Sequence, residues 1–289
     1  MCVESSQAPG ATRRGHVSDR LDWDPRRAAS FYDEYGEQEW TRFEDGRTPA
    51  PSLEVHLEHL RRFVREGDRV LDVGAGPGRF TIELARLGAR VTVADLSPGQ
   101  LEHNRRRVVD EGLEEHVEER VEADVLDLSR WDDASFDAAV CFGGPLSYVL
   151  DDAEQGLAEL VRVTRPGGHV LVSVMSLVGT VTHYLPILLD LVRRDGVEKN
   201  EQIVRTGLLA DEPDYGHLAM KLYRWSELEA LLAPHGTIVA ASAAGLLPAV
   251  TPEEPEVREF VRQTELALAS EPGALACGQH ILAVLRKDA

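Results

Sequence analysis

A chain of 289 residues, 43% of them hydrophobic, can build one large core with additions, and no run approaches the ~20 apolar residues that a membrane helix needs. Acidic side chains number 50 against 31 lysines and arginines, and the net charge of -19 opposes nucleic acids and anionic membranes, which require a basic surface. Cys2, Cys141 and Cys277 are far apart and form no Cys-x-x-Cys or Cys/His cluster, so neither a metal nor a redox pair is expected.

Residues 1–21 are polar and aperiodic and read as a mobile tail. Arg13-Arg14 is not followed by the apolar run of a secretion signal, so a cytoplasmic location is expected. Residues 22–66 form a predicted helical lid. Ala28, Ala29, Phe31, Tyr32, Tyr35, Trp40 and Phe43 recur at helical spacing with a break near Gly36, and a second helix over 52–65 places Leu53, His56, Leu57 and Leu60 on one face.

From Gly67 to Met175 strands and helices alternate. Strands are predicted at 69–73, 90–94, 117–123, 136–142 and 169–175, and helices at 79–87, 98–111 and 152–164, with a turn at Arg165-Pro166-Gly167-Gly168. This is the pattern of an α/β doubly wound, mostly parallel sheet with helices on both faces. Residues 176–218 interrupt it with a predicted helix over 178–192 and a polar stretch after it, read as a cap over the ligand edge. Residues 219–289 return to the core through a helix at 226–232 and strands at 237–243 and 279–285, with a helical excursion at 254–269.

Asp72-Val73-Gly74-Ala75-Gly76-Pro77-Gly78 falls where the first strand turns into a helix. Gly74 and Gly76 allow a tight turn and close approach of a ligand, and Gly78 lets the helix start against the sheet. Alone, such a loop is equally a structural turn or the site of some other nucleotide. Asp95 ends the second strand, where a carboxylate can accept both ribose hydroxyls, although Asp95 or Ser97 could instead cap the helix starting near Pro98. Asp124 ends the third strand and could accept from an adenine amino group or simply face solvent. The third glycine comes one residue earlier than in Gly-x-Gly-x-x-Gly, and Asp72 precedes the loop. An acidic neighbour suits a cofactor carrying an ammonium and a sulfonium in place of a diphosphate.

With Val70 to Gly78, Ala94-Asp95-Leu96-Ser97, Glu122-Ala123-Asp124-Val125, Phe136-Asp137-Ala138-Ala139-Val140 and Arg165-Pro166-Gly167-Gly168 in order, the chain resembles the class I S-adenosylmethionine-dependent methyltransferases. The resemblance implies a Rossmann-like sheet of seven strands, the last antiparallel and inserted beside the strand near Thr237. It implies S-adenosylmethionine as cofactor and S-adenosylhomocysteine as product. Asp72 and Gly74 would lie by the methionine part, Asp95 at the ribose, Asp124 and Val125 at the adenine, and the Phe142-Gly143 backbone by the methionine amino group. Ala75, Gly76, Gly78, Leu96 and Gln100, on the same loop and on the turn after Asp95, complete the expected cofactor contacts.

Methyl transfer from a sulfonium is an in-line displacement that chiefly needs alignment and exclusion of water, so few residues are obligatory. Tyr32 is expected to reach the methionine carboxylate, and Tyr35, Trp40, Tyr148 and Tyr184 to touch the acceptor, with simple packing as the competing role of each aromatic. His217 and His183, in or beside the cap, are candidate bases, and each could equally be structural. After the fourth strand, Phe142-Gly143-Gly144-Pro145 lacks the Asn/Asp-Pro-Pro-Tyr of nucleobase- and amide-modifying relatives, which points to a small-molecule acceptor. The expected activity is methyl transfer to an oxygen, nitrogen or carbon of a metabolite. Its rivals are a nicotinamide-dependent oxidoreductase, an S-adenosylmethionine-binding enzyme of other chemistry, and a non-catalytic cofactor-binding regulator. Acceptor identity and oligomeric state are not legible in the sequence.

Overall fold

A computed structural model describes residues 21–41, 50–211, 217–248 and 252–288. The expected tail, except Leu21, and Phe43 lie outside the described residues.

The chain enters through α1 (Pro25–Tyr35), which starts because Asp24 accepts from the Arg26 and Arg27 amides and Pro25 fixes the first turn. Gly36 ends it with φ of 52°, and α2 (Gln38–Thr41) follows at an angle. After α3 (Ala50–Phe63) come β1 (Arg69–Val73), α4 (Arg79–Arg86), β2 (Arg90–Asp95), α5 (Pro98–Asp110), β3 (Val117–Glu122) and β4 (Phe136–Cys141). A single turn, α6 (Pro145–Tyr148), then leads to α7 (Ala153–Val163) and β5 (Thr164–Met175).

The cap comprises α8 (Leu177–His183), α9 (Leu185–Asp195), α10 (Val197–Thr206) and β6 (Leu208–Leu209), which pairs with β7 (Met220–Lys221). The core closes with α11 (Trp225–Leu232), β8 (Thr237–Ala244), α12 (Pro255–Ala269) and β9 (His280–Arg286). Strand order is β3-β2-β1-β4-β5-β9-β8, and β9 runs antiparallel between β5 and β8, with His169 opposite Arg286 and Met175 opposite His280. The α/β sheet of seven strands is the one the resemblance implies.

The central strands are apolar on both faces because helices cover both. Leu71, Phe136, Leu157 and Val172 pack on one side, and Leu60, Val70, Leu84 and Val140 on the other. At the edge, β3 carries Glu118, Glu119 and Arg120 and stays half exposed, which guards an unpaired strand against another chain.

Two expectations change. The Arg165–Gly168 turn lies within β5: Thr164 pairs with Phe136, pairing resumes at Ala138 and His169, and Gly167 with φ of 74° carries the chain out between them. The helix expected over 178–192 is two helices. Tyr184 leaves helical geometry and Pro186 opens α9, since a proline cannot sit in a helix interior. The polar stretch after it contains α10, bounded by Gly196 and Gly207 at φ of 92° and 75°. Behind the sheet, the buried Glu265 carboxylate of α12 accepts from the Leu246 and Leu247 amides, both at 2.8 Å, and fixes the chain leaving β8.

Candidate cofactor site and an adjoining chamber

The loop from β1 to α4 turns through three glycines at positive φ, 68° at Gly74, 52° at Gly76 and 97° at Gly78. A Cβ at Gly74 would stand 2.4 Å from Pro145 Cγ, so only glycine lets this loop pack against α6. At the end of β2, Asp95 accepts from the Gly76 amide (2.8 Å) through one oxygen and from the Ser97 amide (2.9 Å) through the other. Ser97, and not Asp95, caps α5, its hydroxyl accepting from the Gln100 amide at 2.9 Å. The competing role for Asp95 thus falls to its neighbour, and each Asp95 oxygen keeps lone-pair capacity for a further donor.

Burial pushes the Asp95 carboxyl up to about 6 against its two amide donors, and the nearby negative charges of Glu39 and Asp33 add to the rise. Beneath the loop Asp72 is more perturbed. Burial raises it to about 7, the Thr81 hydroxyl donating at 2.7 Å lowers it, and the charge of Asp95 raises it.

A cavity of about 110 Å³ opens over this loop. Ten of the twelve expected cofactor residues lie on its wall: Tyr32, Gly74, Ala75, Gly76, Asp95, Leu96, Gln100, Asp124, Val125 and Phe142. Asp72 and Gly78 do not. Asp72 lies under the loop against Thr81, and Gly78 begins α4 and packs on Asn104, so both shape the wall from behind. Gln100 donates from Nε2 to the Tyr32 and Gly36 carbonyls, at 2.9 and 3.0 Å, and so holds the end of α1. Its Oε1 is buried with no partner among the described residues. An orphan acceptor on the same wall as the Asp95 carboxylate fits a ligand that brings hydroxyl donors, as a ribose does.

A second, larger cavity of about 980 Å³ adjoins the first, and Tyr32, Glu39, Gly143 and Tyr148 line both. The Tyr32 and Tyr148 rings meet edge to face with centroids 6.1 Å apart at this border. Tyr35, Tyr184, His183 and His217 line the second cavity, so the structure brings both candidate bases to one chamber. Trp40, expected beside them, lines neither cavity: its ring lies under the Arg79 guanidinium at 3.6 Å and the Arg107 guanidinium at 4.4 Å. The reason is that α2 turns this side chain towards α4 and α5, where two cations compete for its face.

Several wall residues escaped the sequence reading, Arg79, Phe80 and Val149 among them, and two stand out. Trp23 donates from Nε1 to Asp124 at 2.9 Å and closes that end of the first cavity. Glu39 stands on the shared border. Neither belongs to a motif; a lone tryptophan just ahead of a helix start was the only signal for the first, and the second had none. Among the described residues no group of three His, Cys, Asp or Glu side chains is placed to hold a metal ion, and no helix is long and apolar enough to cross a membrane.

Residues 70–168 match the model of the methyltransferase domain family. A demethylmenaquinone methyltransferase of Mycolicibacterium gilvum is 33% identical over 177 residues, 59% of this chain and 70% of the relative. The chain belongs to the class I methyltransferase family. Another relative within it, the demethylmenaquinone methyltransferase of Clavibacter sepedonicus, is 42% identical over 106 residues, but the match spans only 40% of its length and 37% of this chain. The fold of this family member is also that of the Burkholderia thailandensis 1,6-didemethyltoxoflavin-N1-methyltransferase, solved with 1,6-didemethyltoxoflavin and S-adenosylhomocysteine bound. The two superpose with a TM-score of 0.53 at 22% identity, covering 94% of this chain and 93% of the other.

Proposed function

We propose that the first cavity binds S-adenosylmethionine and that the protein transfers its methyl group to a small molecule held in the second. The observation that carries this reading is the continuity of the two cavities. A wall suited to ribose, Asp95 with Gln100, leads through a border of Tyr32, Glu39, Gly143 and Tyr148 into a separate chamber.

The cofactor, when bound, supplies an activated methyl on a positively charged sulfur. Asp95 and Gln100 Oε1 would accept the ribose hydroxyls, while Trp23, Asp124 and Val125 would enclose the base. The Asp72 carboxyl, buried directly behind the loop, favours positive centres on that wall in its ionised form. Tyr32 and Tyr148 would keep water from the border and offer a ring face to a cation there. The N-terminal helices (residues 22–66) and the cap (176–218) form the parts that read the acceptor, and His217 and His183 stand in that chamber as bases for an acceptor that must lose a proton. The net charge of -19 supports a metabolite over a nucleic acid.

Thermal unfolding with saturating S-adenosylhomocysteine tests the reading, with NAD in parallel. A ligand of the native state present at 100 times its Kd adds about 2.7 kcal/mol of stability. A shift with S-adenosylhomocysteine and none with NAD is expected. A shift with NAD alone would refute the proposal.

A further inference from the structure

The second chamber carries an inference about its occupant, resting on the reading that the first cavity holds the methyl donor. Its walls are built from the cap and the strands below it. Leu188 and Leu191 come from α9, Ile203 from α10, and Leu209, Met220 and Leu222 from the β6–β7 region. At about 980 Å³ it lies near the upper end for small-molecule pockets. No lysine or arginine stands on the wall among the described residues. A carboxylate or phosphate entering this space would be stripped of water with no cation to meet it. Glu39, the one carboxylate on the wall among the described residues, sits on the border shared with the cofactor cavity.

The two histidines add a second constraint. His183 Nδ1 lies 2.9 Å from the Gly179 carbonyl and His217 Nδ1 lies 3.1 Å from the Leu218 carbonyl. A carbonyl only accepts, so each ring places a proton on Nδ1, and Nε2 is the nitrogen left to take a proton from a ligand. The chamber therefore offers a largely apolar enclosure with two imidazole Nε2 positions, the complement of an uncharged molecule with a hydroxyl.

We propose that the acceptor is an uncharged, predominantly apolar molecule of polycyclic or long-chain size, methylated on a phenolic or enolic hydroxyl. The oxygen lone pair forms the new C–O bond as the C–S bond breaks. The sulfur keeps that electron pair and becomes the neutral thioether, and the hydroxyl proton passes to a histidine Nε2.

Competition on the full-length protein, saturated with S-adenosylhomocysteine, tests this. Nile red serves as the chamber probe, and 4-hexylphenol, 4-hexylanisole, 4-hexylbenzoate and 4-hexylbenzylamine as competitors. The phenol should displace the dye at about tenfold lower concentration than the anisole, the worth of one buried hydrogen bond, with benzoate and ammonium weaker still. The double variant His183→Phe/His217→Phe should erase the preference of phenol over anisole. Leu191→Arg should abolish dye binding and leave the S-adenosylhomocysteine thermal shift intact, and Leu188→Arg does the same service at a half-buried position if the first variant fails to fold. Benzoate or benzylamine competing as well as the phenol would overturn the proposal, as would dye binding unaffected by the arginine variants. Absence of the S-adenosylhomocysteine shift in the unaltered protein would instead defeat the cofactor reading, and the competition series would still decide the chamber's chemistry.

Discussion

Asp95→Asn separates what the carboxylate does for a ligand from what it does for the fold. Moving the group from its ordinary 3.8 to about 6 amounts to about 3 kcal/mol of destabilisation of the ligand-free protein at neutral pH. The sign follows from the raised value. The folded state binds this proton more tightly, so the cost is absent below about pH 4, grows as pH rises, and is complete above about pH 6. Asparagine removes that cost but presents one oxygen to the two amides of Gly76 and Ser97, and leaving one unmet costs about 1–3 kcal/mol. Ligand-free stability should therefore stay within about 2 kcal/mol of the parent. Affinity should not: two charge-assisted hydrogen bonds to ribose are weakened or lost, about 3 kcal/mol together, or roughly 150-fold in Kd. Urea unfolding of the ligand-free protein reads the first effect, and titration calorimetry with S-adenosylhomocysteine from about pH 5 to 8 reads the second. The parent should bind more weakly as pH falls through about 6, and the variant should lack that step, any weakening it keeps belonging to the Asp72 carboxyl at about 7. A Kd changed less than threefold at pH 7.5 would remove Asp95 from the ribose site, and collapse of the ligand-free fold would make its role structural.

Gly74→Ala combines a left-handed φ with a contact at 2.4 Å to Pro145; it should lower stability by about 2–4 kcal/mol in urea unfolding and weaken cofactor binding, and a neutral effect would contradict the loop geometry. Trp40→Ala removes the ring beneath Arg79 and Arg107, and should speed S-adenosylhomocysteine dissociation in stopped flow by about tenfold, from about 1–2 kcal/mol of lost contact; an unchanged rate would show that α2 does not hold the site shut. Glu265→Ala strands the Leu246 and Leu247 amides and should cost about 2–5 kcal/mol of stability, with Glu265→Gln recovering part of it; equal loss in both would mean that volume, and not hydrogen bonding, matters there.

The sheet was legible because its signals are local. Val70 and Leu71 or Val91 and Val93 announce strands buried on both faces, and Gly74, Gly76 and Asp95 act within a few residues of their own position. The cap was legible only as an interruption, since Tyr184 and Pro186 split a run whose apolar spacing is nearly continuous, and spacing alone does not reveal a break. Asp72 was located in the loop but not in depth, because whether a carboxylate faces a ligand or Thr81 depends on how α4 packs. Trp40 followed the helical aromatic pattern of Tyr32 and Tyr35, yet Arg79 and Arg107, distant in sequence, decide where its ring goes. Trp23 and Glu39 have meaning only once the N-terminal helices are folded over the sheet, which no periodicity in residues 21–41 expresses.

The N-terminal helices are tied to α5, the very helix that follows Asp95. Asp33 accepts from the Ser97 hydroxyl and the Gly99 amide, Gln100 grips the end of α1, and Glu37 pairs with His103 and Arg107. Trp23, Ala28 and Tyr32 wall the first cavity, so on the proposed reading a nucleoside entering past α1 would need these ties to release and re-form behind it. On that reading turnover would acquire an order in time: donor first, acceptor second, methylated product out, and the spent nucleoside last. Inhibition patterns should carry that order, with S-adenosylhomocysteine competitive against the donor and noncompetitive against the acceptor.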